Sequence, residues 1–124
     1  MIHLDTSFLI RAGARGTPEG RRLRNWLRAG KLVRISAVVW AEYLCGPVPA
    51  GAVEDAAELF GEPVSFGAAE ATLAARLFNA SGRRCGTLAD CMIAAIALNA
   101  GASLATSNAR DFERLGEYGL VLEG

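Results

Sequence analysis

Residues 2–10 read IHLDTSFLI: three strand-compatible residues, a carboxylate, two hydroxyls and an apolar run. Ile2 to Leu4 reads as a short strand ending at Asp5, and Thr6 to Ala12 begins a helix. A similar order returns late in the chain. The apolar run Ala102 to Ala105 leads into TSNARDF, Thr106 to Phe112. There Asn108 is placed to cap a short helix, with Asp111 in its first turn. A strand that runs into an acid, and the acid into a helix, is the unit from which the rest is read.

Between these two stretches, helices and strands alternate. Thr17-Pro18-Glu19 is a helix start, with a hydroxyl cap, proline at the first position and then an acid. The helix that follows turns Leu23, Trp26, Leu27 and Gly30 inward and gathers Arg21, Arg24 and Arg28 on its other side. Leu32 to Ser36 reads as a second strand and Val38 to Leu44 as a helix. Pro47 and Pro49 break the chain before a helix from about Gly51 to Phe60. Val64 to Phe66 is a candidate third strand, followed by a helix over Ala68 to Ala80. SGRRCGT is a loop punctuated by Gly82 and Gly86, and LADCMIAAIALNA is an apolar helix ending at Gly101. Ala102 to Ala105 is the fourth strand, Asn108 to Leu115 a short helix and Leu120 to Leu122 a closing strand. This alternation predicts an α/β fold, a mostly parallel sheet of four to five strands covered on both faces. In such sheets, sites gather beyond the carboxyl ends of the strands.

The bulk numbers agree with a globular chain. Its 124 residues suit one domain spanning 1–124, and 52% hydrophobic with 21% charged residues excludes a disordered chain. No basic segment precedes an apolar one, so no secretory leader is expected. The uncharged run Cys91 to Ala109 is interrupted by Asn99, Gly101, Ser103, Ser107 and Asn108, and reads as helix, turn and strand rather than a membrane span. Cys45, Cys85 and Cys91 are odd in number and lack CxxC spacing. That argues against a disulfide framework or zinc knuckle, fits a reducing cytosol, and leaves Cys91 as an apolar core residue. Zero net charge argues against strong nonspecific nucleic-acid binding. The charges are nevertheless segregated: Arg11 to Arg34 holds eight basic residues and one acid, Glu19, whereas Ile35 to Ala75 holds six acids and no base.

Four acids stand out. Taken singly, Asp5 and Asp111 read as helix-start acids, Glu42 as a surface acid among apolar neighbours, and Asp90 as part of a capping box with Thr87. Taken together, Asp5, Asp90 and Asp111 lie near helix starts, and Glu42 lies on a helix that leaves a strand. A parallel sheet can bring all four to one pocket. Close carboxylates raise one another's pKa, and a divalent cation relieves that conflict. An oxygen-only set without a matching His or Cys cluster suits Mg2+ or Mn2+ rather than zinc. Such a site suits phosphodiester hydrolysis, where the ion acidifies water and stabilises phosphoryl oxygens. Thr6, Ser7, Thr106 and Asn108 can orient the acids without adding charge.

With these residues in view, the chain resembles the PIN-domain ribonucleases, and specifically the VapC-like toxins of type II toxin–antitoxin pairs. The likeness rests on IHLDTSFLI, AEYL around Glu42, LADCMIAAIA and ATSNARDF, in that order and spacing; Gly51 to Ala80 matches only in general character. It implies a PIN-like three-layer α/β/α fold and an acidic quartet of Asp5, Glu42, Asp90 and Asp111. Asp5 and Asp90 would be the core metal ligands. Asp111 would bind directly or through water, and Glu42 would help bind a metal or activate water. Thr6, Asn108 and Thr106 match supporting positions. The resemblance further implies an Mg2+- or Mn2+-dependent cytoplasmic endoribonuclease that forms a homodimer and is silenced by a cognate antitoxin, with no membrane partner. Cys91 and Met92 depart mildly from the plainer aliphatic residues common after the third acid.

Other chemistries fit poorly. His3 is the only histidine, which excludes a two-histidine nuclease. No GK[ST] completes a phosphate loop, Asp5-Thr6-Ser7 lacks the second aspartate of a haloacid-dehalogenase-like phosphatase, and Lys31 precedes the second strand where a response regulator needs a late lysine. Arg83 and Arg84, in the loop before Asp90, are placed to steer a phosphate backbone; Arg21, Arg24 and Arg28 read as a solvated helix face. Trp26 and Trp40 read as core. The alternative from another class is a catalytically silent PIN-fold domain that binds protein or RNA. The four acids disfavour it, because their repulsion would cost stability without return.

Overall fold

The computed structural model describes residues 1–82 and 87–124. Its elements run β1 (Ile2–Leu4), α1 (Thr6–Ala12), α2 (Pro18–Arg28), β2 (Val33–Ile35), α3 (Ala37–Cys45), α4 (Ala52–Phe60), α5 (Ala68–Ala80), α6 (Leu88–Asn99) and β3 (Ser103–Ala105). Two 3-10 helices, Ala109–Asp111 and Glu113–Tyr118, follow.

The sheet is parallel in the order β2-β1-β3, with Ile2, His3 and Leu4 facing Val33, Arg34 and Ile35 on one side and Ser103, Leu104 and Ala105 on the other. β1 is therefore central and buried along its length, as a strand covered on both faces must be. Both of its neighbours point the same way, so Asp5 emerges beside Ser36 and Thr106 at one end of the sheet. The expected third strand and closing strand shrink to single bridges, Ser36 with Val64 and Leu104 with Leu122. Pro63 has no N–H to extend the first pairing and Gly67 caps α5 three residues after Val64, which leaves no length for a ladder. The described sheet thus has three strands, not four to five.

Helices flank it. α4 packs on β2, α6 on β3 and α3, and α5 lies along α6. α6 buries Cys91 and every residue from Ile93 to Ala97, which is why its sequence is apolar almost all round. Cys91 is buried as expected. Cys45 is free and exposed. Trp26 is core and stacks on Phe8 with ring centroids 5.4 Å apart, while Trp40 is half-buried against Tyr43. Arg22 lies over both Phe8 and Trp26 and donates to the carbonyls of Glu123 and Gly124, tying the end of the chain to α2. His3 is a packed strand residue with neither ring nitrogen hydrogen-bonded. Among the described residues, no helix is long and apolar enough to cross a membrane.

Candidate active site

Each acid is delivered by a local rule. Asp5 leaves β1 in extended conformation and caps α1 by accepting from the Phe8 N–H at 2.8 Å. Asp90 stands third in α6, in a capping box: its Oδ2 accepts from the Thr87 N–H at 3.0 Å and its own N–H donates to Thr87 Oγ1 at 3.3 Å. Ser36 caps α3 through the Val39 N–H, which sets that helix off from the end of β2 and carries Glu42 along it. Asp111 closes the first 3-10 turn after β3. The helix expected over Asn108 to Leu115 is two 3-10 turns instead, and the Asn108 side chain makes no cap bond. Its N–H donates to Thr106 Oγ1 at 2.9 Å.

Hydroxyls organise the centre. Asp5 is 4% exposed; its Oδ1 accepts from Ser7 Oγ at 2.8 Å as well as from Phe8, and its Oδ2 accepts from Thr106 Oγ1. Thr6 Oγ1 donates to Glu42 Oε1 at 2.6 Å, linking α1 to α3. Ser107 donates its N–H to Ser7 Oγ at 3.1 Å and its Oγ to Glu19 Oε2 at 2.8 Å. Thr6 and Thr106 thus touch Glu42 and Asp5, whereas Asn108 is exposed and contributes through its backbone. Ser107 and Glu19 were not singled out by the sequence for this site. The only trace of them is Glu19's isolation among eight bases.

The electrostatics show which acids face each other. Burial pushes the Asp5 carboxyl above its ordinary range; its three hydrogen bonds oppose this, and the charge of Glu42 adds to it. Asp90 is also raised, by burial first and then by the charges of Asp111 and Glu42, against the opposing Thr87 N–H. Glu42 therefore acts on both Asp5 and Asp90, and Asp111 acts on Asp90. No cation among the described residues offsets either shift. Also among them, no three of these acids close into one ligand group. Hard oxygen donors that repel one another, uncompensated by a base among the described residues, fit a divalent cation drawn between them. Arg83 and Arg84 lie outside the described residues, while Arg21, Arg24 and Arg28 form an exposed helix face.

The sequence family described as PIN domain matches residues 2–118. No curated protein matches the chain. Among solved structures, it is similar to a chain in the crystal structure of VapBC2 from Rickettsia felis bound to a DNA fragment from their promoter, at 23% identity and TM-score 0.77 over 99% of this chain and 98% of that one. It is similar at 23% identity and TM-score 0.75 to a chain of FitAcB from Neisseria gonorrhoeae, over 100% and 97%. A chain of FitAB bound to a DNA fragment gives 21% identity and TM-score 0.71, over 99% and 94%. At these identities the structural likeness speaks to the fold.

Proposed function

The chain belongs to the PIN-domain family, and from that premise we propose that it is an Mg2+- or Mn2+-dependent endoribonuclease, the toxin of a toxin–antitoxin pair, acting as one domain over residues 1–124 in the cytoplasm. PIN domains are generally nucleases that use divalent metal ions. The observation that supports the reading is that acids from four separate segments act on one another in pairs, Glu42 on Asp5 and on Asp90 and Asp111 on Asp90, with Thr6 and Thr106 hydrogen-bonded to Glu42 and Asp5. Asp5 and Asp90 would be the core ligands, with Asp111 and Glu42 completing the set. The bound ion supplies Lewis acidity toward a phosphoryl oxygen and a more acidic water.

The chain's own residues do the positioning. Asp5 is held in one orientation by Phe8, Ser7 and Thr106. Thr6 holds one oxygen of Glu42, leaving the other to face the gap or to accept a proton from water. The Thr87 N–H holds one oxygen of Asp90 and so fixes the direction of the other.

For partners, the reading expects RNA as substrate, a second copy of the chain, and a cognate antitoxin, together forming a hetero-oligomer. A groove of about 600 Å³ between α1, α2, α3 and α4, lined by Leu9, Leu23, Tyr43, Leu59 and Phe60 with Arg15 and Asp55, has the apolar lining that an amphipathic antitoxin segment needs. VapBC2 and FitAB, named in the similar structures, support this expectation.

Incubating antitoxin-free protein with structured RNA and Mg2+ or Mn2+ tests the activity, with EDTA and Asp5→Asn as controls. Metal-dependent cleavage lost in both controls is expected. The open arrangement of the acids favours one other reading, a catalytically silent domain that binds protein or RNA. Absence of both cleavage and metal binding would select it.

A further inference from the structure

Glu19 sits in the first turn of α2, where an acid usually faces solvent and needs only the helix dipole to explain it. Here the side chain is 14% exposed and folded inward. Its Oε2 accepts from Ser107 Oγ at 2.8 Å and pairs with Arg11 Nε at 3.1 Å. One carboxylate therefore joins α1, α2 and the loop after β3.

What Ser107 does next gives the contact its interest. Ser107 donates its hydroxyl to Glu19 and its N–H to Ser7 Oγ, and Ser7 donates its own hydroxyl to Asp5 Oδ1. Thr106, the preceding residue, donates to Asp5 Oδ2. Both oxygens of Asp5 are thus addressed by groups whose position depends on the backbone at Thr106 and Ser107. That backbone is pinned by Glu19. Glu19 acts on where this backbone sits, while the Ser7 and Thr106 hydroxyls point to their own acceptor, Asp5.

Resting on the cation site proposed above, we infer that Glu19 is a positioning residue: through Ser107 it holds Ser7 and Thr106 against Asp5, and so presents Asp5 to the cation. Arg11 keeps the Glu19 carboxylate turned toward the loop. Outer-shell partners of metal ligands typically contribute a factor of about 10–100 in metal affinity.

The test is Mn2+ titration by calorimetry of the full chain and of Glu19→Ala, Glu19→Gln, Ser107→Ala and the Glu19→Ala/Ser107→Ala pair, each first checked for a folded melting transition. The expected result is a loss of roughly 10-fold or more in Mn2+ affinity for Glu19→Ala. Glu19→Gln should keep most of the affinity, because its amide oxygen still accepts the Ser107 hydroxyl proton. Ser107→Ala should reproduce the loss, and the double variant should add little to it. Glu19→Ala binding like wild type overturns the inference alone. So does Glu19→Gln as weak as Glu19→Ala, or losses that add in the double variant. A wild-type chain that binds no Mn2+ overturns the cation site itself and this inference with it.

Discussion

Asp90 carries two roles that pull its stability in opposite directions. Its carboxylate caps α6, yet its charge is opposed by burial, Asp111 and Glu42. Asp90→Asn keeps an oxygen that can accept from Thr87 N–H and removes the charge. The melting temperature of the metal-free variant should therefore rise or stay unchanged; a clear drop would mean that the carboxylate serves as a cap alone. His3 makes a second residue-scale prediction. Burial, then Arg34 and the N-terminal ammonium, lower its pKa to about 4. The unfolded chain takes up that proton near pH 6.5 and the folded chain resists it, so stability falls as pH drops from about 6.5 to about 4 and changes no further below that. The whole effect is roughly 3 kcal/mol. Asp5 and Asp90 act the other way: their raised pKa values mean the fold gains stability as acid neutralises them, near and just above the ordinary carboxylate range. Urea denaturation across pH 4–7 should show the His3→Leu variant losing less stability on acidification than wild type. At this scale the sequence was legible wherever a side chain acts within three residues, as Asp5 with Phe8 and Thr87 with Asp90 do. Glu19 and Ser107 are 88 residues apart, and nothing local announces them.

At the scale of elements, starts were easier to read than ends. Thr17 with Pro18, and Thr87 with Asp90, announce α2 and α6 through side chains that compete for the first free N–H groups. Ser36 does the same for α3, yet it read as the last residue of a strand, because an extended cap and a strand end look alike in sequence. Ser36 is 2% exposed, so water does not readily take the place of its hydroxyl as acceptor for the Val39 N–H. Ser36→Ala should cost about 1 kcal/mol in urea denaturation. An unchanged midpoint would show that α3 is held by packing alone. The weak strands were overread for a different reason. Val64 to Phe66 and Leu120 to Leu122 are β-prone, but strand propensity cannot say whether a neighbour offers more than one residue of edge. Asn108 stands at the cap position of the first 3-10 turn, but its side chain makes no cap bond.

At the scale of the molecule, a buried central strand and a helix that is apolar almost all round fix where the core is, and the parallel order fixes which end carries the acids. Phe8 shows how closely the site leans on that core: it is fully buried, its N–H binds Asp5, and its ring stacks on Trp26 beneath Arg22. Phe8→Ala should cost about 3–5 kcal/mol, measured by thermal or urea unfolding. A smaller loss would mean that α1 and α2 close over the gap. The central claim is that Asp5, Glu42, Asp90 and Asp111 serve one divalent cation. Thermal unfolding of the wild-type chain and of Asp5→Asn, with and without Mn2+, tests it most directly. At an ion concentration about 100-fold above Kd, the wild-type melting temperature should rise by roughly 10 °C and the variant's should barely move. A wild-type transition that ignores Mn2+, or a variant that gains as much as wild type, would contradict the account.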